Sequence, residues 1–271
     1  MMSLLKLLYL CAGLGVVTSF QTRPDCRFPT PRFATSVDDQ VEGAASLNLA
    51  GSFDLTSKNL PKVKDEDFST FLEENYYLFA SAGGKREMTQ IELTQEMLTI
   101  WKEACSSSGA EQPDGESDKL IQVRTGGISF PGLKVESLVK IGVKKIYKED
   151  SNKLFEFTLL GDEQEVKGLK PVVWIYEKLT GANEKDSNDK QSTTSSLTTV
   201  TYNDVNDSKI TFSINAQLMI NVSFPAFLLK ILPTNKEKAE ESGGKSLTSV
   251  LKKDVIASMT AFEKAYIEKF S

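Results

Sequence analysis

Between residues 210 and 224, apolar side chains fall on every second position: Ile210, Phe212, Ile214, Ala216, Leu218, Ile220, Val222 and Phe224. Thr, Ser, Asn, Gln, Met, Asn and Ser fill the positions between them. A period of two is that of a strand with one dry and one wet face. A strand this long, wetted on one side only, belongs to a bent antiparallel sheet, and something must cover its dry face. The cover is legible at the chain's end. Leu247, Val250, Leu251, Val255, Met259, Phe262, Tyr266 and Phe270 recur at spacings of three and four, with lysines and glutamates opposite them. That spacing predicts an amphipathic helix over 246–270, about 36 Å long at ~1.5 Å per residue. Gly243-Gly244 reads as a hinge or break before it.

The remaining pattern is consistent with the same architecture. "SLNLAGSFDL" at 46–55 alternates as a strand. Asp65-Glu66-Asp67 opens a helix running from Phe68 to about Phe79, where acids complement the helix dipole, and Gly83-Gly84 stops it. A second helix is predicted over 93–104 with Thr94 as N-cap. "SSSGAEQPDGESD" (106–118) reads as a polar loop without core residues. Strands are predicted at 133–143, 154–160 and 169–176, then a hairpin from 197–202 and 210–222. The stretch 181–196 reads as a low-complexity loop. "SFPAFLLKILP" carries Ser223 as a cap, Pro225 in a first helical turn and Pro233 as a stop, and is too short to span a bilayer.

The N-terminus stands apart from this pattern. Residues 1–19 hold one base, Lys6, in an apolar run, with Val17 and Ser19 placed as a cleavage motif before Phe20. That is the layout of a secretory signal peptide; a membrane anchor or buried strand is the alternative. Residues 20–36 carry Arg23, Arg27 and Arg32, several hydroxyls and prolines, and a single acid, Asp25. This composition is that of an organelle transit peptide or, more plainly, of a disordered linker. The two pieces joined at a phenylalanine resemble the bipartite leaders of algae with secondary plastids, such as diatoms. The resemblance implies a plastid (chloroplast) destination through the secretory pathway, and one folded domain over 37–271.

Charge and chemistry narrow the function. Of 32 basic and 37 acidic residues, four bases and one acid fall in the leader, so the remainder is net −8. Nucleic-acid affinity comes mainly from neutralising phosphates, so no nucleic-acid partner is expected. Histidine is absent, which removes Ser-His-Asp and Cys-His catalysis and the commonest transition-metal ligand. Outside the leader Cys105 is the one cysteine, so no internal disulfide is available and a buried structural thiol is the expected role. "GGKS" at 243–246 lacks the first glycine and leading strand of a phosphate loop. "SAGGKRE" at 81–87 reads as an ordinary helix-ending turn. Lys140, Lys144, Lys145 and Lys148 read as a basic strip on a wet sheet face that could meet anionic headgroups. No catalytic residue, metal ligand or cofactor site is advertised, so a non-enzymatic role is expected.

The order strand, short helices, antiparallel strands, long final helix resembles the helix-grip fold of the START-like (SRPBCC) superfamily. "INVSFPAFLLKILPTNKEKAEESGGKSLTSVLKKDVIASMTAFEKAY" (220–266) and "GLKPVVWIYEKLTG" (168–181) are similar to an uncharacterised plastid and cyanobacterial family with that fold. The resemblance implies an α+β protein whose curved sheet closes on the C-terminal helix and leaves room for a hydrophobic small molecule, a lipid or a pigment. Trp174, Phe212, Ile214, Leu218, Met259 and Phe262 are the candidate cavity lining, with a filled core as the plainer alternative. Phe224, Phe227 and Leu228 are the candidate contacts to a thylakoid membrane at its periphery. The alternative function is a non-enzymatic assembly or interaction factor for a photosynthetic membrane complex.

Overall fold

A computed structural model describes residues 44–115, 118–130, 133–147, 152–170, 173, 193–225 and 235–270. The leader at 1–36 therefore lies outside the described residues. In chain order the elements are β1 (Ala44–Thr56), β2 (Leu60–Pro61), α1 (Asp65–Asn75), α2 (Tyr77–Ala80) and β3 (Met88–Ile91). They continue with α3 (Gln95–Ser108), β4 (Lys119–Phe130), β5 (Leu133–Lys145) and β6 (Lys153–Gly168). β7 (Thr193–Asn206), β8 (Lys209–Pro225) and α4 (Lys236–Phe270) follow among the described residues. The strands form one curved antiparallel sheet in the order β1-β8-β7-β6-β5-β4-β3, with β2 pairing β8. The class is α+β.

The long alternating strand is β8, and its dry face is dry: Ile210, Phe212, Ile214 and Ala216 are buried. β1 lies beside it in a register running from Ala44–Pro225 to Thr56–Ser213. An edge strand such as β1 presents unpaired backbone groups, and α4 covers them. The Asn48 N–H donates to Glu240 Oε1 at 2.8 Å, and the Lys58 N–H, just beyond the strand, donates to Glu263 Oε1 at 2.8 Å.

Three expectations need correction. The last helix begins at Lys236, ten residues before the predicted start, so Gly243 and Gly244 lie inside it and not at a break. They serve close approach: a Cβ on Gly243 would sit 2.6 Å from Leu49 Cδ2, and one on Gly244 would sit 2.6 Å from the Ala50 carbonyl oxygen. Helix and strand meet there almost backbone to backbone. The predicted strand at 169–176 is the second correction. Its described residues Lys170 and Val173 are helical, and the Val173 N–H donates to the Leu169 carbonyl at 3.0 Å. Third, Thr193–Ser196 are not loop but the first residues of β7.

The two predicted helices also part company. β3 comes between them, and α3 crosses to the other face of the sheet. On β5, Ile141 and Val143 point to the α4 side while Gly142 meets the Trp101 ring of α3, so closely that a Cβ would lie 2.3 Å from it. Thr94 caps α3 as expected, its Oγ1 accepting from the Met97 N–H at 3.3 Å. The polar loop after α3 folds onto this second face, and the Asp118 side chain is fully buried there. Lys144, expected on a wet strip, is covered too, and reaches Asp114 at 3.0 Å and Asp118 at 3.7 Å. Lys140 and Lys145 are each paired, with Glu163 and Glu73. Lys148 lies outside the described residues.

Candidate functional site

The space between sheet and α4 divides into a filled end and an open end. At the filled end α1 and α2 supply Phe68, Phe71 and Phe79, which meet Phe212 from β8 and Phe262 and Tyr266 from α4. Ring centroids lie 4.6 Å apart for Phe79–Phe262, 4.9 Å for Phe212–Phe262 and 5.1 Å for Phe71–Tyr266, distances that mark stacked and edge-on packing. The Tyr266 hydroxyl donates to the Pro61 carbonyl at 2.8 Å, and burial pushes its pKa up to about 12. Phe212, Met259 and Phe262 thus belong to the packed core and are not among the residues that line the cavity beyond it.

Further along the strands the aromatics give out and a cavity of about 340 Å³ opens. Its floor is Phe157, Ile141, Ile214, Ala216 and Val255, with Phe79 where it meets the packed end. Ile214 and Leu218, two of the candidate lining residues, face it. Trp174, Phe227 and Leu228 lie outside the described residues. Phe224 is part of β8, opposite Ala45, and its side chain lies outside the described set.

Strand pairing explains why the cavity opens where it does. Among the described residues the β6–β7 ladder ends at Thr158–Leu197, although β6 runs on to Gly168 and β7 starts at Thr193. Beyond that pair the sheet divides into two arms. Residues facing the cavity change character along the same direction. The row Phe157–Thr198–Ala216 carries one hydroxyl, Thr198, between two apolar side chains. The next rows bring Ser196 opposite Leu218 and Thr194 opposite Ile220, and on the far arm Thr125 opposite Ser137. The polar rim was missed in the sequence because 181–196 reads as low complexity; Thr194, Ser196 and Thr198 carried a strand period all along.

Charge enters at one place. Arg86 Nη2 lies 2.7 Å from Asp254 Oδ2, joining the turn after α2 to the helix, with each side chain about one-third exposed. The turn is unusual: Ala82, Gly83 and Gly84 all have positive φ, at 51°, 74° and 80°. Such a run suits glycine and costs an alanine about 1 kcal/mol or more. It is held by Ser81, whose Oγ accepts from the Gly84 N–H at 2.9 Å and whose carbonyl accepts from the N–H groups of Lys85 and Arg86. A Cβ on Gly83 would lie 2.5 Å from the Ala257 carbonyl oxygen, so this turn sits directly on α4.

Among the described residues no group of three or more His, Cys, Asp or Glu is placed to hold a metal ion. No helix among them is long and apolar enough to cross a membrane. Cys105 is buried; burial pushes its thiol up, while the neighbouring Thr158 hydroxyl and Trp101 indole act against that.

Comparison with protein-family models and with curated proteins gave no match. Among solved structures, the chain is similar to a conserved protein from Geobacillus kaustophilus. The similarity has a TM-score of 0.30 and 11% identity, covering 82% of this chain and 96% of that one.

Proposed function

We propose that this chain is a helix-grip, START-like protein that holds a hydrophobic small molecule, a lipid or pigment, in the cavity under α4, and that it works in a plastid. The observation that carries the reading is an apolar-floored space of about 340 Å³ between the sheet and the last helix. Small-molecule sites run from about 300 to 1,000 Å³ and are mostly apolar with few polar groups. At the low end of that range, one acyl chain or one compact ring system fits better than an extended pigment. The strand order, with β1 closing beside β8 and the final helix laid across, supports the helix-grip reading. α3, on the opposite face, is additional to that order.

The test is native mass spectrometry and solvent extraction of the protein purified from its own organism. A co-purifying apolar molecule is expected, and Ala216→Phe, which fills the floor, is expected to lose it while staying folded. Recovery of no such molecule from the wild-type protein would shift the reading to an assembly factor that acts through its surface. The destination has a separate test. Residues 1–36 fused to a fluorescent protein in a diatom should label the plastid, and Phe20→Ala should hold the fusion in outer compartments. Secretion of the intact fusion would defeat the plastid reading.

A further inference from the structure

We infer that the cavity selects a neutral amphiphile with a hydroxyl-bearing head, such as a glycerol or a sugar, on an apolar body. This rests on the cavity reading above and names its ligand class.

Polarity is graded along one axis. The inner end is mainly aromatic and aliphatic, with Ser258 there bonded to the Phe79 carbonyl and Thr198 the one hydroxyl in its strand row, and the hydroxyls of Ser137, Thr194 and Ser196 come at the far rows. A molecule oriented by this gradient buries its apolar end and leaves its head at the rim. Some rim hydroxyls are already engaged: Ser196 Oγ donates to the Gln217 carbonyl at 2.9 Å, and Thr125 Oγ1 to the Ser137 carbonyl at 3.1 Å. The hydroxyls of Ser137 and Thr194 at the rim, and of Thr198 one row further in, have no protein partner among the described residues. A hydroxyl both donates and accepts, so these groups answer other hydroxyls.

Formal charge settles the head's sign. Among the described residues lining the cavity, Arg86 and Asp254 alone are charged, and they neutralise each other at 2.7 Å. A carboxylate head that drew Arg86 away would strand Asp254 beside a second anion. An ammonium head that drew Asp254 away would do the mirror image to Arg86. The pair therefore works against both signs, and discrimination by unfavourable contact is as effective as discrimination by attraction. A neutral head leaves the pair intact and uses its spare capacity: the remaining guanidinium N–H donors of Arg86 and the second carboxylate oxygen of Asp254.

The experiment is calorimetric titration of the full chain, at about pH 8 and below micelle formation, with three probes of equal chain length: monodecanoylglycerol, decanoate and decyltrimethylammonium. Monodecanoylglycerol is expected to bind at least about tenfold more tightly than either ion, about 1.4 kcal/mol. Equal affinities, or tighter decanoate or ammonium binding, would overturn the head-group inference and leave the cavity reading standing. No binding of any probe would overturn both. The double variant Thr194→Val, Thr198→Val keeps side-chain shape and strand propensity. It is expected to cost monodecanoylglycerol about tenfold in affinity, against decanoate unchanged. Unchanged monodecanoylglycerol binding in that variant would also overturn the inference.

Discussion

The two faces of this sheet are built from the same strands and reach burial by opposite routes. On β6, Phe155 and Phe157 turn toward α4 and join the aromatic core, while Glu156 and Thr158 turn toward α3 and are equally buried. On the α4 face, burial is mainly apolar, and the hydroxyls buried at its packed end are bonded to backbone carbonyls, Tyr266 to Pro61 and Ser258 to Phe79. On the α3 face it includes charge. Glu156 accepts from the Glu111 N–H at 2.8 Å and meets Lys153 at 2.9 Å, and Lys144 bridges Asp114 and Asp118. Buried polar groups must find partners, and the partners here are loose ones: among the described residues Trp101 Nε1, Asp118 Oδ1 and Thr158 Oγ1 make no close hydrogen bond, with Lys144 3.7 Å from Asp118 and Cys105 beside the other two. The difference teaches that alternation identifies which residues share a face but not whether solvent reaches it.

The comparison can be broken hardest on the α4 face. Phe262 is fully buried among Phe71, Phe79, Phe212 and Tyr266, so Phe262→Ala should cost about 3–5 kcal/mol in urea unfolding. A cost below about 1 kcal/mol would mean the aromatic end is not packed as described.

On the α3 face the matching break is electrostatic. Lys144→Ala should cost about 3 kcal/mol, because Asp118 stays buried with its ammonium partner gone. The double variant Lys144→Met, Asp118→Leu should recover much of that, because replacing a buried pair by apolar groups is often neutral. Equal losses in the single and double variants would show that the two groups do not interact.

Steric fit comes next. Gly142→Ala should cost about 1–3 kcal/mol by driving a methyl into the Trp101 indole. Added to a Trp101→Leu background the same change should cost clearly less; additive losses would place the clash elsewhere.

Alkaline pH separates the faces more gently. Tyr266 ionises at about 12 in the folded protein against about 10 unfolded, so its contribution is complete below pH 10 and lost as pH rises toward about 12. Cys105 is raised from its ordinary value of about 9, so its loss begins lower. Tyr266→Phe should flatten the decline in urea midpoint above pH 10, and Cys105→Ala the part that starts near pH 9. A decline unchanged in both variants would point to other groups.

The smallest expected effect is Arg86→Gln, about 1 kcal/mol or less in stability because the pair with Asp254 is one-third exposed. A loss above about 2 kcal/mol would make the pair a structural clamp and not a feature of the rim.

Much of the fold was legible because burial on the α4 face is periodic. Period two in β8 and the three-four spacing from Leu247 to Phe270 put Ile210, Phe212, Val255 and Phe262 inside. Less was legible where the reason for a residue lies in another element. Gly243-Gly244 reads as a break until β1 is seen 2.6 Å from their missing side chains. The polar alternation of β4 hid a whole strand, whose Leu120, Ile121 and Val123 are buried. Lys144 reads as solvated until α3 and its loop are laid over it. At the cavity, Ile214 and Leu218 were visible as a dry face, while Arg86 and Asp254 stand 168 residues apart with nothing local to join them.

By itself, then, the sequence determined the elements whose side chains repeat with their backbone period: the long strand, the last helix, and the dry face between them. Local periodicity is a property of one segment and needs no partner. Only the tertiary structure decided where that face is filled and where it is open. Which aromatics plug it, where β6 and β7 part, and which distant charges meet at the rim are set by pairings between segments, and no single segment carries that information.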